Sequence, residues 1–380
     1  MIEDIKHFKI NWIDGMKIAK EHFQHLQNYT ESRVKDSISA QMSHNGYGLL
    51  ASHLSENSEY AVNIDAHKSL KISIKKLRAI TPGGDRVEIT QQTPAVKEEV
   101  IVEEFADKKF EEGYVLLNVD NENAVAFGEQ DPKEIPPRHP FETANYFFTF
   151  ANTKDLEKSG LGMHQLPIAR ILKDGATIST AADYIPPATS LGAHERLIDF
   201  YNETESFLKL VERNSILITQ KIMTKQSDNP IADAMHIAVD KIYPYLAQQI
   251  TYVKWEEYHI QPKKLLEIVV SMARTFKGAV DVSSPENKEQ LFNYFGEWTD
   301  LKGGDYEKLF TDIINMQYHH LNINENIALV TNFMTTIEKL FTILTQVDYI
   351  GKRRDMGIFV NENVVKDKPK KSGGPTFLAE

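Results

Sequence analysis

KHFKINWIDGMKIAKEHFQHLQ, residues Lys6 to Gln27, is the most informative stretch of this chain. An apolar run (Phe8, Ile10, Trp12) reaches Asp14-Gly15, where glycine tolerates a turn that other residues resist. Met16 and Ile18 then lead into a charged run that predicts a helix over roughly 17–42. Trp12, Met16 and Phe23 have two readings. They either staple the segment onto the fold, where Trp12→Ala would cost about 3–5 kcal/mol for a fully buried ring, or they shape a surface that grips a partner. His22 and His25 stand three apart with Glu21 beside His22, but no HExxH or third ligand completes a zinc set, so a structural role is expected.

Beyond this segment the hydrophobic period is that of strands. Ala61–Ile64 is a short candidate, and Leu70, Ile72 and Ile74 alternate with Lys71, Ser73 and Lys75 as in a half-buried strand. Thr81–Asp85 makes a turn, and Arg86–Thr90 returns. Val100–Val102, Tyr114–Val119, Tyr146–Phe150 and Ile168–Ile171 continue the series, with Pro132–Pro140 as a loop. Many short strands between turn residues favour a β-sandwich over an α/β sheet. Pro186-Pro187 should end this half.

After Gly192 the period becomes helical. Leu197, Tyr201, Thr204, Leu208, Val211, Ser215, Ile218 and Ile222 follow steps of three and four. Met235, Val239, Ile242, Leu246, Ile250 and Val253 repeat the pattern, with a kink or break expected at Pro244. Leu265–Phe276 and the region of Leu309 and Ile313 mark two more helices, and Val330–Leu344 a further amphipathic one. The expected class is α+β and multidomain: an entry segment (1–45), a β-sandwich (46–190), a helical bundle (191–325), an amphipathic helix (326–350) and a basic flexible tail (351–380). The first long helix carries extra apolar residues off its seam, including Ile198, Phe207, Ile216 and Leu217. So wide an arc predicts contact between chains, and Leu197, Tyr201, Leu208, Val211, Ile218 and Ile222 are the expected interface.

Composition narrows the function. A formal charge of −11 over 380 residues argues against nucleic acid as partner. The absence of cysteine removes disulfides, thiolate nucleophiles and cysteine-ligated zinc. No signal sequence opens the chain, and no uncharged apolar run approaches the roughly 20 residues of a membrane span, so a cytoplasmic protein is expected. Gly83-Gly84 lacks the following Gly-Lys-Ser/Thr of a phosphate loop, and Ser159-Gly-Leu-Gly162 is not a hydrolase elbow. His319-His320 point to different sides of a helix, and Glu256, Glu257 and His259 read as a loop before Pro262. No nucleophile, base and oxyanion site assemble. A non-enzymatic protein without cofactor or metal is the expectation.

The opening pattern of Trp12, Gly15-Met16 and His22-Phe23-Gln24 resembles the start of the TssK family, baseplate components of type VI secretion systems. Those proteins open with Trp-x-x-Gly-Met and then Gln-His-Phe-Gln; Glu21 here replaces the first Gln. Gly46-Tyr47-Gly48-Leu49-Leu50, Leu77–Gly84, Leu166–Ile171 and Tyr184–Pro187 are similar to later marks of the family, and His259, Pro262 and Asp305-Tyr306 to weaker ones, out to about Leu321. The resemblance implies a β-sandwich "shell", a helical bundle that forms a homotrimer, and wedge proteins TssF and TssG held by the N-terminal part. Trp12, Gly15, Met16, His22, Phe23 and Gln24 are the residues expected at that contact. It also implies a place at the inner face of the inner membrane when the baseplate assembles.

After Leu321 the sequence departs from the family, which continues into a C-terminal head that contacts the membrane complex. The expectation is therefore a reduced or absent head and a non-standard membrane route, through a tether of Lys352, Arg353, Arg354, Phe359, Lys368, Lys370 and Lys371. Two other classes fit the residues less closely: a trimeric phage-type tail or receptor-binding protein, and a metal-dependent enzyme using the scattered histidines.

Overall fold

The computed structural model describes residues 4–51, 58–64, 70–94, 96, 99–100, 110–175, 177–225 and 229–352. Helix α1 (Lys20–Gln41) precedes a strand-rich half made of two antiparallel sheets. In the first sheet, the long β3 (Leu70–Ile80) pairs with β1 (Gly48–Leu49), β2 (Glu59–Ile64), β4 (Arg86–Ile89) and β5 (Glu99–Val100). Leu70 and Ile72 are buried at the start of β3 and Leu77 and Ala79 at its end, where Val87 of β4 sits opposite Ala79; the alternation changes parity between them, at the register shift where Lys75 has no ladder partner on β2. Of the expected strand Val100–Val102, Ile101 and Val102 lie outside the described residues.

The second sheet runs β7 (Phe141–Asn152), β6 (Glu112–Phe127), β8 (Gln165–Asp174), β9 (Thr177–Thr180). The start of β6, Gly113–Val119, is buried on both faces. Val115, Leu117 and Val119 join the main core, while Tyr114 and Leu116 meet Leu156 of the short α2 (Thr153–Ser159) and Tyr184 on the other side. That is why the segment reads as a continuous apolar run. β6 also continues well beyond the expected Val119. Asp120 accepts turn-type hydrogen bonds from the amides of Glu122 and Asn123, each at 3.0 Å, and the ladder with β7 resumes at Val125 after a register shift. The polar run imitates a turn, but it is a bulge. Between the sheets, the Tyr60 hydroxyl donates to the Ile168 carbonyl at 3.0 Å.

Six long helices follow: α3 (Glu195–Lys225), α4 (Pro230–Glu256), α5 (Pro262–Asp281), α6 (Pro285–Trp298), α7 (Gly303–Asn315) and α8 (Ile323–Gln346). Three open with proline at the first turn, where its missing N–H costs nothing. Asn229 and Ser284 cap two of these by accepting from the amides of Ile231 (2.9 Å) and Asn287 (3.2 Å). Helix α6 has no counterpart among the expected elements, although Ser284-Pro285 is a start signal. Pro244 does not break α4: it lies on the exposed side of the helix. The core is aromatic. Phe276 stacks on Phe310 at 5.2 Å, and Phe310 meets Phe333 edge-on at 5.3 Å.

The expected division at 325/326 falls inside α8, which packs against α3, α5 and α7 as part of the same core. By length and mean hydropathy (24 residues, 1.4) α8 is capable of crossing a bilayer, although Glu325, Glu338 and Lys339 interrupt it. Here Val330, Phe333, Ile337, Leu340, Phe341 and Leu344 are buried among the neighbouring helices.

The two halves are joined by backbone and polar contacts. The Leu49 amide donates to the Pro187 carbonyl at 2.7 Å, and Thr189 donates back to Leu49 at 2.9 Å, so the tandem prolines lead into a buried seam. Gly48, at φ +126°, permits this approach, because a Cβ there would lie 2.2 Å from the Pro187 carbonyl oxygen. Arg170 on β8 donates to Glu112 at 2.6 Å and to Asn322 and Glu325 at 3.1 Å each.

His320, 6% exposed, completes the joint. Its Nε2 donates to the Tyr47 carbonyl at 2.8 Å, which leaves Nδ1 to accept from the Tyr318 hydroxyl at 2.7 Å. Burial lowers its pKa to about 4, against the Tyr47 hydrogen bond, and the positive charges of His44 and Lys263 lower it further. The unfolded chain therefore binds this proton at higher pH than the folded one. The stability contribution is complete above about pH 6.5 and is lost as pH falls toward 4, by up to about 3 kcal/mol. Chemical denaturation of wild type and His320→Gln at pH 7 and pH 4.5 should show a smaller fall for the variant.

Candidate partner-binding surface

The segment before α1 has little to hold it against the body. Apart from Lys6, no residue from Asp4 to Trp12 makes a backbone–backbone hydrogen bond among the described residues. It then turns at Ile13–Met16, where the Met16 amide donates to the Ile13 carbonyl at 3.2 Å and Gly15 takes φ +76°. Open space surrounds Gly15, so the conformation alone calls for glycine. His22 caps the helix: its Nδ1 accepts from the Ala19 amide at 3.0 Å, and its ring lies 5.9 Å from that of Trp12. Among the described residues no three His, Asp or Glu side chains converge as a metal site.

The face that helix α1 turns to the body is largely polar, with Tyr29 and Ile38 among it, and several of its apolar residues face solvent. His22, Ser32, Lys35 and Asp36 are half-buried and Ser39 is buried, whereas Phe23, Leu26 and Val34 are exposed. The polar set recurs at helical spacing along one face. Phe8 is 73% exposed and Phe23 59%, while Trp12 at 45% is about half covered, so none of the three is the fully buried staple of the first reading. The cost of Trp12→Ala falls to about 1–2 kcal/mol accordingly. Ile5, Ile13 and Ile18 extend the exposed apolar surface, which exceeds the expected set.

What attaches α1 is a polar clamp on Asp85, whose side chain is 1% exposed. Oδ1 accepts from Lys35 Nζ at 2.8 Å and Asn121 Nδ2 at 2.9 Å; Oδ2 accepts from the Thr81 hydroxyl at 2.8 Å and meets His164 Nδ1 at 2.6 Å. Burial alone would raise the Asp85 pKa, but the hydrogen bonds from His164, Lys35 and Thr81 and the Lys35 charge hold it well below the usual carboxylate range. Gly84, at φ +84°, lets the β3–β4 turn lie under the helix, since a Cβ there would stand 2.8 Å from the Lys35 carbonyl oxygen. With all its lone pairs engaged, Asp85 is a clamp, drawing together α1, the turn, the middle of β6 and the loop before β8. A groove of about 650 Å³ runs beside it, between Lys6 and His7 on one side and Asp120 and Phe147 on the other. No local motif marks Asp85 as buried; its turn is legible, its partners are not.

The other expected sites divide differently. Trp12, Gly15, Phe23 and Gln24 are exposed and Met16 and His22 half-buried, all in the one N-terminal surface. Leu197, Tyr201, Leu208, Val211 and Ile218 are buried within the single chain, and Ile222 packs partly on the same core. These side chains have almost no surface left to give a second chain, which corrects their assignment to an interface. On α3 the exposed apolar residues are Ile216, Leu217 and Met223. Of the tether, Lys352 is described and pairs with Asp348; Arg353, Arg354, Phe359, Lys368, Lys370 and Lys371 lie outside the described residues.

No protein-family model and no curated protein matches the sequence. Solved structures do. The crystal structure of a TssK aligns with 89% of this chain and 70% of its own, at TM-score 0.50 and 15% identity. A chain of the baseplate complex from the type VI secretion system aligns over 87% of this chain and all of its own, at TM-score 0.51 and 14% identity. Sheets first and helices after, over nearly nine-tenths of its length, the chain has the fold seen in TssK.

Proposed function

We propose that this chain is a structural component of a type VI secretion baseplate, a TssK-like adaptor without catalytic activity. The observation that carries the reading is the exposed apolar surface around Trp12 and Phe23, at the residues that resemble the family's opening motif, on a chain with the TssK fold. A monomer gains nothing from large solvent-exposed aromatic residues beside a glycine-specific turn; a docking protein does. On this reading the two sheets form the sandwich-like shell and the helices the bundle. The N-terminal surface holds TssF and TssG, three copies assemble through surfaces such as Ile216, Leu217 and Met223, and the basic stretch after Lys352 reaches toward the membrane complex at the inner membrane.

Affinity purification from the native cell followed by mass spectrometry tests it. Wild type should bring down TssF and TssG. The triple variant Phe8→Ser, Trp12→Ser, Phe23→Ser should weaken that binding roughly 100-fold or more, the scale of at least one hot-spot side chain, while the thermal midpoint moves by only a few degrees. Recovery of neither wedge protein with wild type, or equal recovery with the variant, would sink the proposal.

A further inference from the structure

The hairpin of β6 and β7 outgrows the sheet that it belongs to. The ladder with β8 reaches only Asn118, whereas β6 runs on to Phe127 and β7 returns from Phe141. From Asn121 to Glu142 every residue is exposed except Phe127 and Glu134, which are half-buried. Asn121 ties the base of this arm to Asp85. From Glu122 to Asn145, each hydrogen bond and ion pair among the described residues stays inside the hairpin. A two-stranded hairpin by itself is at best marginally stable in water, so a bare arm of this length is covered when the protein works.

The tip is ordered before anything covers it. His139 Nδ1 donates to the Gly128 carbonyl at 2.7 Å, which leaves Nε2 to accept from Gln130 Nε2 at 3.3 Å, and Arg138 pairs with Glu134 at 2.7 Å. Pro132, Pro136, Pro137 and Pro140 fix φ along the loop, so docking costs little conformational freedom. The arm also has an apolar side. Phe127 and Phe141 stand opposite each other with rings 5.7 Å apart, and Val125 shares their face. Val125 and Phe141 are exposed, and Ile135 in the loop is 97% exposed. Glu122 and Glu129 bracket the apolar face in sequence and Glu142 lies on the reverse. All three are exposed and make no ion pair among the described residues. With Asp131 and Glu134 they stand against Lys133 and Arg138, a formal charge of −3 over residues 121–142.

Resting on the proposed function, we infer that the arm is a second docking element for the wedge, and that its apolar side meets a protein patch rimmed by lysine or arginine. Position and charge select this occupant. Glu122 lines the same groove as Lys6 and His7, and Asn121 shares the clamp that mounts α1, so the arm continues the surface proposed for TssF and TssG. A second copy would bring another chain of −11 against an acidic arm, whereas a basic rim pairs with Glu122, Glu129 and Glu142.

The test uses the full-length chain and the purified TssF–TssG wedge from the same cell, with association and dissociation followed over a salt series. Glu122→Lys, Glu129→Lys, Glu142→Lys together should slow low-salt association by roughly ten-fold or more and flatten its salt dependence. Glu→Asp at the same three positions should keep the wild-type salt response. Ile135→Ser, at a side chain with almost no contact inside the chain, should leave the thermal midpoint in place; combined with Phe141→Ser it should speed dissociation roughly ten-fold. If wild type binds the wedge and the charge-reversed variant keeps its rate and salt response, or the serine pair keeps its dissociation rate, this inference falls and the proposed function stands. If wild type does not bind the wedge, both fall. Faster association of the lysine variant, or loss of self-association in the serine pair with wedge binding unchanged, would also overturn it.

Discussion

Asp85→Ala is expected to cost about 3–5 kcal/mol, the range for removing one partner of a buried charge cluster. The substitution leaves the half-buried Lys35 without its carboxylate and strips Thr81, Asn121 and His164 of their shared acceptor. Because α1 buries little else, the loss should be local before it is global: hydrogen exchange over residues 20–41 should accelerate more than exchange in α5 or α8. On the proposed function, wedge binding should weaken with it, since the exposed aromatic surface loses its mount. Asn at the same position keeps the shape but not the charge, and should recover part of the loss. The sign with pH is that of any carboxylate whose folded pKa is depressed. The Asp85 contribution is complete above the ordinary carboxylate pKa and is lost only as pH falls below that range, through its depressed folded value. The His320 joint should therefore weaken first on acidification, and the clamp only in stronger acid. Uniform exchange across α1 and α5 in Asp85→Ala would show that α1 is held by something else.

Leu208→Asp is expected to prevent folding rather than to dissociate an assembly. Leu208 is fully buried in the helical core of a single chain. Removing its packing costs about 2–5 kcal/mol, and an unpaired carboxylate in that place costs several more. The sum is comparable to the 5–15 kcal/mol that holds a typical domain together. Circular dichroism and solubility should show loss of structure. Ile216→Asp with Leu217→Asp, on the exposed side of the same helix, should leave the fold intact and, on the proposed trimer, lower the oligomeric state seen by light scattering. A soluble, folded Leu208→Asp that merely dissociates would restore the seam as an interface.

The two substitutions mark where sequence reading succeeded and where it did not. Period identifies an apolar stripe but not the molecule on its other side. Leu197, Leu208, Val211 and Ile218 look the same whether α4, α8 or another chain covers them, because burial depends on the sum of neighbours and not on spacing. The seam of α3 is covered inside the chain by α4 and α8, while Ile216 and Leu217 of its wide arc stay exposed. Helix α6 escapes the period for a different reason: its buried residues, Leu291, Phe292, Tyr294 and Phe295, cluster in one short stretch and give a weak period, although Ser284-Pro285 before them is a start signal.

From residues alone came the division into a strand half and a helical half, the turns at Asp14-Gly15 and Thr81–Asp85, and the resemblance at Trp12, Gly15-Met16 and His22-Phe23-Gln24 that the fold supports. These are local matters of period, φ and short motifs, which neighbouring residues settle among themselves. Only the tertiary structure decided that Trp12 and Phe23 stay exposed, that α1 turns a largely polar side inward, and that Asp85 gathers Lys35, His164, Thr81 and Asn121 from four places in the chain. Exposure and long-range pairing depend on which surfaces the rest of the chain brings near, and residues separated by 36 to 79 positions leave no trace of their meeting in any local pattern.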